Sequence, residues 1–167
     1  MIYIIIGVAG CGKTTIGKLL AQKLEIPFYD GDDFHPVENI EKMRKGEALN
    51  DADRLPWLNS LANNILIWES SRGAVLACSA LKKSYRIILS SKLIHKIRFI
   101  YLKADPDLII ERLNKRSEHF FNKALIDSQF ADLEESPEIE AISARLPPQD
   151  ILNSVLKSIT KDNPENQ

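Results

Sequence analysis

The chain has 167 residues, 44% of them hydrophobic, which suffices for one well-buried core and is too few for two ordinary domains, so a single unit over residues 1–160 is expected. With 23 acidic against 22 basic residues and a net charge of −1, no global field draws it to nucleic acid or to an anionic membrane, and any anion it binds must be held locally. The apolar run Ile2 to Ile6 is too short to span or to export, and Cys11 and Cys78, with no CxxC pair, fit reduced thiols in a cytoplasmic protein.

In chain order, Tyr3 to Ile6 reads as a fully buried strand, and Thr14 to Leu24, with Ile16, Leu19, Leu20 and Leu24 inward, as an amphipathic helix. Pro27 to Tyr29 is a short second strand, and Asn39 to Lys45 a helix stopped by Gly46. A longer helix is expected to begin near Pro56 and to run through Leu58, Leu61, Ile65 and Trp68 to Arg72-Gly73. Strand Ala74–Ala77, helix Lys83–Lys92, strand Arg98–Leu102 and helix Pro106–Arg116 follow. Helix Ala124–Glu134, a weak strand Ile139–Ser143 and helix Gln149–Ile159 come next, with a polar tail over 161–167 expected to fray. Short apolar strands alternating with helices predict an α/β fold whose parallel sheet is covered on both faces, with ligands beyond the carboxyl ends of the strands.

Gly7-Val8-Ala9-Gly10-Cys11-Gly12-Lys13-Thr14 matches G-x-x-x-x-G-K-[ST] between a strand and a helix, the context that this motif requires. Backbone N–H groups wrap a polyphosphate there, Lys13 adds a charge to the β and γ phosphates, Thr14 offers a hydroxyl to Mg²⁺ and Thr15 extends the cradle. Cys11 admits two readings: a small side chain facing outward, or a thiol whose pKa is lowered by the helix amino terminus and is sensitive to oxidation. On the acceptor side, Asp30-Gly31-Asp32 ends the second strand opposite the cradle, where carboxylates can orient metal-bound water and take a proton from an attacking hydroxyl.

Several further stretches carry a resemblance. They are Asp30 to Pro36, Asn39 to Met43, Gly46 to Asp51, Asp53-Arg54, Pro56-Trp57-Leu58, Cys78 to Lys82, Tyr85-Arg86, Phe99 to Leu102, His119-Phe120-Phe121 and Ser128-Gln129-Phe130. In this order, over Ile2 to about Pro137, the chain resembles the gluconate kinases. The resemblance implies a P-loop fold like that of nucleoside monophosphate kinases and shikimate kinase, with strand order 2-3-1-4-5 and a lid. It also implies ATP and Mg²⁺, gluconate as acceptor with 6-phosphogluconate as product, and a homodimer.

Carried over by residue, the resemblance makes Asp32 the base or orienting group for the primary hydroxyl, with Asp30 behind it on the Mg²⁺ water shell. Arg54, Lys82 and Arg86 surround the sugar-acid carboxylate and the moving phosphoryl group, Arg54 and Arg86 being the better carboxylate clamps because guanidinium pairs bidentately. His35 is expected to bond a substrate hydroxyl, and His119 joins the substrate set. Plainer roles stand beside these: Arg54 paired with Asp51 or Asp53, Arg86 as a solvated helix residue, His35 as a satisfied polar residue, and Trp57 as core. At the end of the fourth helix, leading into a lid over about 116–123, Arg112 is assigned to the adenine and Arg116 to the phosphates. The sequence departs from the family at Glu118, where many members have glycine, and at Ala144-Arg145-Leu146-Pro147. A shikimate or nucleoside monophosphate kinase is the runner-up. A GTPase-like switch lacks support, since neither N-K-x-D nor D-x-x-G occurs.

Overall fold

The structure, a computed structural model, describes residues 1–93, 97–115 and 123–161. Five strands, β1 (Ile2–Ile6), β2 (Phe28–Asp30), β3 (Ala74–Ala77), β4 (Arg98–Lys103) and β5 (Ala141–Ser143), form one sheet in the order β2-β3-β1-β4-β5. Every pairing is parallel; Ile4, for example, lies between Leu76 and Phe99. Side chains alternate across β1, so Ile5 enters one core layer while Ile2, Ile4 and Ile6 enter the other. Both faces are therefore apolar and both are covered, as a parallel sheet requires.

Helices α1 (Lys13–Leu24), α5 (Pro106–Lys115), α6 (Lys123–Asp132) and α7 (Pro148–Lys161) supply the first layer through Ile16, Leu20, Ile109, Ile126 and Val155. On the opposite face α3 (Asp51–Glu69) and α4 (Lys83–Ser90) supply Trp57, Leu61, Ile65, Tyr85 and Leu89. The short α2 (Val37–Arg44) lies between β2 and α3 in sequence. Among the described residues no helix is long and apolar enough to cross a membrane.

Most helix ends move by one or two residues from expectation, and two larger or clearer differences have identifiable reasons. Helix α3 starts at Asp51, ahead of Pro56, because Asn50 and Asp53 form a reciprocal capping box: Asp53 N donates to Asn50 Oδ1 (2.8 Å) and Asn50 N to Asp53 Oδ2 (2.9 Å). Pro56 then sits inside the helix rather than opening it. The weak last strand shortens to Ala141–Ser143, where only Ile142 is buried. The frayed-tail expectation lies outside the described residues, apart from Lys161, which still ends α7.

Candidate active site

The loop between β1 and α1 turns on Gly7, whose φ is +142°. A Cβ there would meet Leu102 O at 2.8 Å and Cys11 Sγ at 2.9 Å, so only glycine fits. Lys13 begins α1 and its Nζ donates to Val8 O (3.0 Å), which lays the ammonium along the rim of the loop. Ala9 N donates to Gln129 Oε1 of α6 (2.7 Å), a residue that lies in a family stretch and to which the sequence assigned no role.

Across the cleft, Thr14 Oγ1 donates to Asp30 Oδ2 at 2.8 Å, and Asp30 Oδ1 accepts from Asp32 N (3.2 Å) as Gly31–Phe34 closes a tight 3-10 turn. The turn is pinned at Gly31. Its Cα faces Ala77 O so closely that a Cβ would lie 2.8 Å from that oxygen, and its carbonyl accepts from the buried Trp57 Nε1 (2.7 Å). Trp57 is thus core, with a second duty of aiming the acidic turn. Asp32 is pushed above the ordinary carboxylate value, first by the protein crowding around it and then by the Asp30 carboxylate. Water reaches most of its side chain (86% accessible), which limits that rise.

His35 stacks on Trp57, with ring centroids 4.2 Å apart, and its Nδ1 faces Asn39 Nδ2 at 3.2 Å. Asn39 Nδ2 also donates to Asp53 O (2.9 Å), so the amide nitrogen is the donor and His35 Nδ1 must accept. The ring proton is therefore on Nε2, which lies 3.9 Å from Asp32 Oδ1. Burial, followed by the Arg54 charge, pushes His35 down to about 4 and keeps it neutral at physiological pH.

The basic residues divide into two groups. Arg54 Nη1 donates to Tyr85 Oη and to Asp132 Oδ2, both at 2.8 Å; its partner is neither Asp51 nor Asp53. Lys82 Nζ lies 2.8 Å from Asp51 Oδ1 and 3.4 Å from Asp132 Oδ1, and Tyr85 Oη donates to Asp51. The bond to Asp51 is the leading reason that Lys82 is held further toward its charged form. Asp53 instead pairs with Lys42 at 2.7 Å.

Arg86 corrects its expectation on both counts, as a clamp and as a solvated residue. It is buried (5% exposed), with Nη1 donating to Ala80 O and Leu81 O and Nη2 to Glu134 O, all at 2.9 Å. Ala80 has φ +40°, a conformation that costs a non-glycine residue on the order of 1 kcal/mol, and Arg86 holds the carbonyls beside it. Arg86 thus fixes the loop that delivers Lys82. The cysteines are corrected as well: Cys11 is buried rather than outward, and burial raises both thiols, Cys78 to about 12. Burial thus acts against the lowered thiol pKa that the second reading of Cys11 requires.

At the other end of the loop, Arg112 Nη1 donates to Cys11 O (2.8 Å) and Gly10 O (3.2 Å), and Nη2 donates to Ala144 O. A cavity of about 320 Å³ opens beside it, between Gly12 and Thr15 on one side and Leu146 and Pro148 on the other. Arg145 fixes that far wall by a two-pronged pair with Asp105, Nε to Oδ2 at 2.9 Å and Nη2 to Oδ1 at 2.8 Å. Arg116, Glu118 and His119 lie outside the described residues. Among the described residues no cluster of three or more carboxylate, thiol or imidazole ligands could hold a metal by itself. Thr14 and Asp30 form the kind of sparse oxygen set that Mg²⁺ uses when phosphates complete its shell.

The sequence pattern of the shikimate kinase family matches residues 9–159. The chain is 45% identical over 139 residues to a probable gluconokinase of Schizosaccharomyces pombe, covering 80% of this chain and 72% of that one. It is 42% identical over 174 residues to a gluconokinase of Arabidopsis thaliana, covering 93% and 90%. The crystal structure of a gluconokinase from Sinorhizobium meliloti 1021 superimposes with a TM-score of 0.87 at 32% identity, covering 96% of this chain and 91% of that one.

Proposed function

We infer, from a chain that belongs to the shikimate kinase family and within it to the gluconokinases, that the cleft between the glycine loop and the acidic turn transfers the γ-phosphoryl group of ATP to the primary hydroxyl of gluconate, giving 6-phosphogluconate. The observation that carries the residue assignment is the 2.8 Å bond from Thr14 Oγ1 to Asp30 Oδ2, which ties the phosphate cradle to the acidic turn and leaves Asp32 beside both.

The roles follow from chemistry. Glycine-loop amides from Gly7 to Thr15 receive the phosphates, and Lys13 turns from Val8 O to the β and γ oxygens, where its charge counts most as negative charge spreads in the transition state. Mg²⁺, held by Thr14 directly and by Asp30 through water, would supply charge neutralisation between the β and γ phosphates. Asp32, with its affinity for a proton raised above that of an ordinary aspartate, accepts the proton of the attacking hydroxyl. His35 offers Nε2–H to a second hydroxyl of the acceptor, which a neutral ring does without adding charge. Arg54 and Lys82 receive the carboxylate end. The cavity beside Arg112 accommodates the adenine, with Leu146 and Pro148 as the apolar wall.

Arg116 and His119 complete the lid in this proposal, where closure would keep water from competing for the phosphoryl group. The homodimer is carried over from the family resemblance, whereas the cytoplasmic setting rests on the cysteine pattern and one kinase unit over residues 1–160 on length and composition.

Asp32→Asn tests the assignment, because it preserves size and removes the base. The turnover number on gluconate should fall by roughly a hundredfold or more while ATP binding changes little. Equal losses in turnover and in ATP affinity would assign Asp32 to the metal or to folding and refute its role as the base.

A further inference from the structure

Helix α6 carries one residue toward each half of the site: Gln129 reaches the glycine loop, and Asp132, three positions on, reaches the two acceptor cations. Asp132 spans them, with Oδ2 2.8 Å from Arg54 Nη1 and Oδ1 3.4 Å from Lys82 Nζ. Asp51 supplies a second carboxylate, so the cluster that would receive the substrate carboxylate is electrically neutral rather than doubly positive.

The two carboxylates are unequal. Asp51 is 66% accessible and water screens it, whereas Asp132 is 25% accessible and faces an Arg54 side chain that is only 13% accessible. Asp132 therefore dominates the field at Arg54, the drier of the two cations, while Asp51 is the nearer partner of Lys82. Arg54 spends Nη1 on Tyr85 and Asp132, and among the described residues nothing accepts from its Nε or Nη2. That edge remains to bind an anion, beside a fixed negative charge.

We propose that Asp132 is a specificity-determining residue of the acceptor site, a built-in counter-anion that lowers the site's affinity for the carboxylate of its sugar-acid substrate without affecting its hold on the hydroxylated chain. The proposal rests on the gluconokinase reading. Its physical content is that an arriving carboxylate must share Arg54 and Lys82 with a resident one, and the like charges repel at a few ångströms in a partly dry site. A hydroxylated chain of the same length without the carboxylate feels no such repulsion.

The test compares Asp132→Asn with the wild-type enzyme. Asparagine keeps an oxygen for Arg54 Nη1 and removes only the charge. The KM for gluconate should fall by roughly three- to tenfold, and the gain should shrink as ionic strength rises. Glucitol carries a hydroxymethyl in place of the carboxylate, and its inhibition constant as a competitor of gluconate should stay within about twofold. Asp132→Ser, which is neutral and lacks an amide, should shift the same way and guards against a folding defect peculiar to one variant. An unchanged or higher KM for gluconate in both variants, or a parallel fall in the glucitol constant, overturns the inference while leaving the activity standing. A wild-type protein that turns over no gluconate overturns the proposed function, and this inference with it.

Discussion

Replacing Arg86 with methionine separates two accounts of the same residue. Methionine fills much of the volume and strips Ala80 O and Glu134 O of their donors, while Leu81 O keeps the backbone bond from Glu134 N (2.9 Å). A buried carbonyl left unpaired costs roughly 1–3 kcal/mol, and partial entry of water brings the total for the two to about 2–4 kcal/mol. For a chain of this size each kcal/mol moves the melting temperature by roughly 2–4 °C, so Arg86→Met should melt about 4–16 °C lower. Thermal unfolding followed by circular dichroism gives the shift. Kinetics measured well below the new midpoint should show a lower turnover number, since the loop bearing Lys82 loses its anchor, with a smaller change in the KM for gluconate. A melting temperature within about 2 °C of wild type, together with a hundredfold rise in that KM, would make Arg86 a carboxylate clamp and refute the framework role.

Two further expectations follow from the buried titratable groups. His35 has a folded value of about 4 against 6.5 when free, so the unfolded chain binds the extra proton between these values and stability is lost as pH falls through that window. The loss should reach about 2 kcal/mol near pH 5, and denaturant titrations of His35→Gln should lack that part of the decline; an identical decline would contradict it. Both thiols stay protonated at neutral pH because burial raises them, so iodoacetamide or a mild thiol oxidant should leave ATP turnover unchanged over the lifetime of the native fold. Rapid inactivation with modification at Cys11 would count against this.

Much of the frame was legible because the signals are local. Ile2 to Ile6 followed by a glycine loop and Lys13-Thr14 has one good structural solution, and the strand-then-helix alternation dictated a covered parallel sheet. The acidic turn at Asp30 to Asp32 was legible for the same reason, as it directly follows a strand. The partners of the basic residues were not, because these are contacts between distant segments. Arg54 and Asp132 are 78 positions apart and Arg86 and Glu134 are 48 apart, and no spacing rule joins them. Arg54, Lys82 and Arg86 look alike in sequence, yet the first two pair with the Asp51 and Asp132 carboxylates while the third is consumed by backbone carbonyls. Asp132 carried no sequence signal at all, and Gln129 only its place in a family stretch. The start of α3 could have been found, since Asn50 and Asp53 have capping-box spacing; Pro56 was the more conspicuous but weaker marker.

The central claim is that a sugar acid lies between the glycine loop and the acidic turn, its hydroxyl at Asp32 and its carboxylate at Arg54 and Lys82. A coupled ADP-release assay with Mg²⁺ and ATP, run across gluconate, its epimers, shikimate and nucleoside monophosphates, tests it most directly. Gluconate should stimulate ADP release well above the rate without acceptor, with shikimate and the nucleotides inert. Stimulation by shikimate or a nucleotide, with none by gluconate, would contradict it.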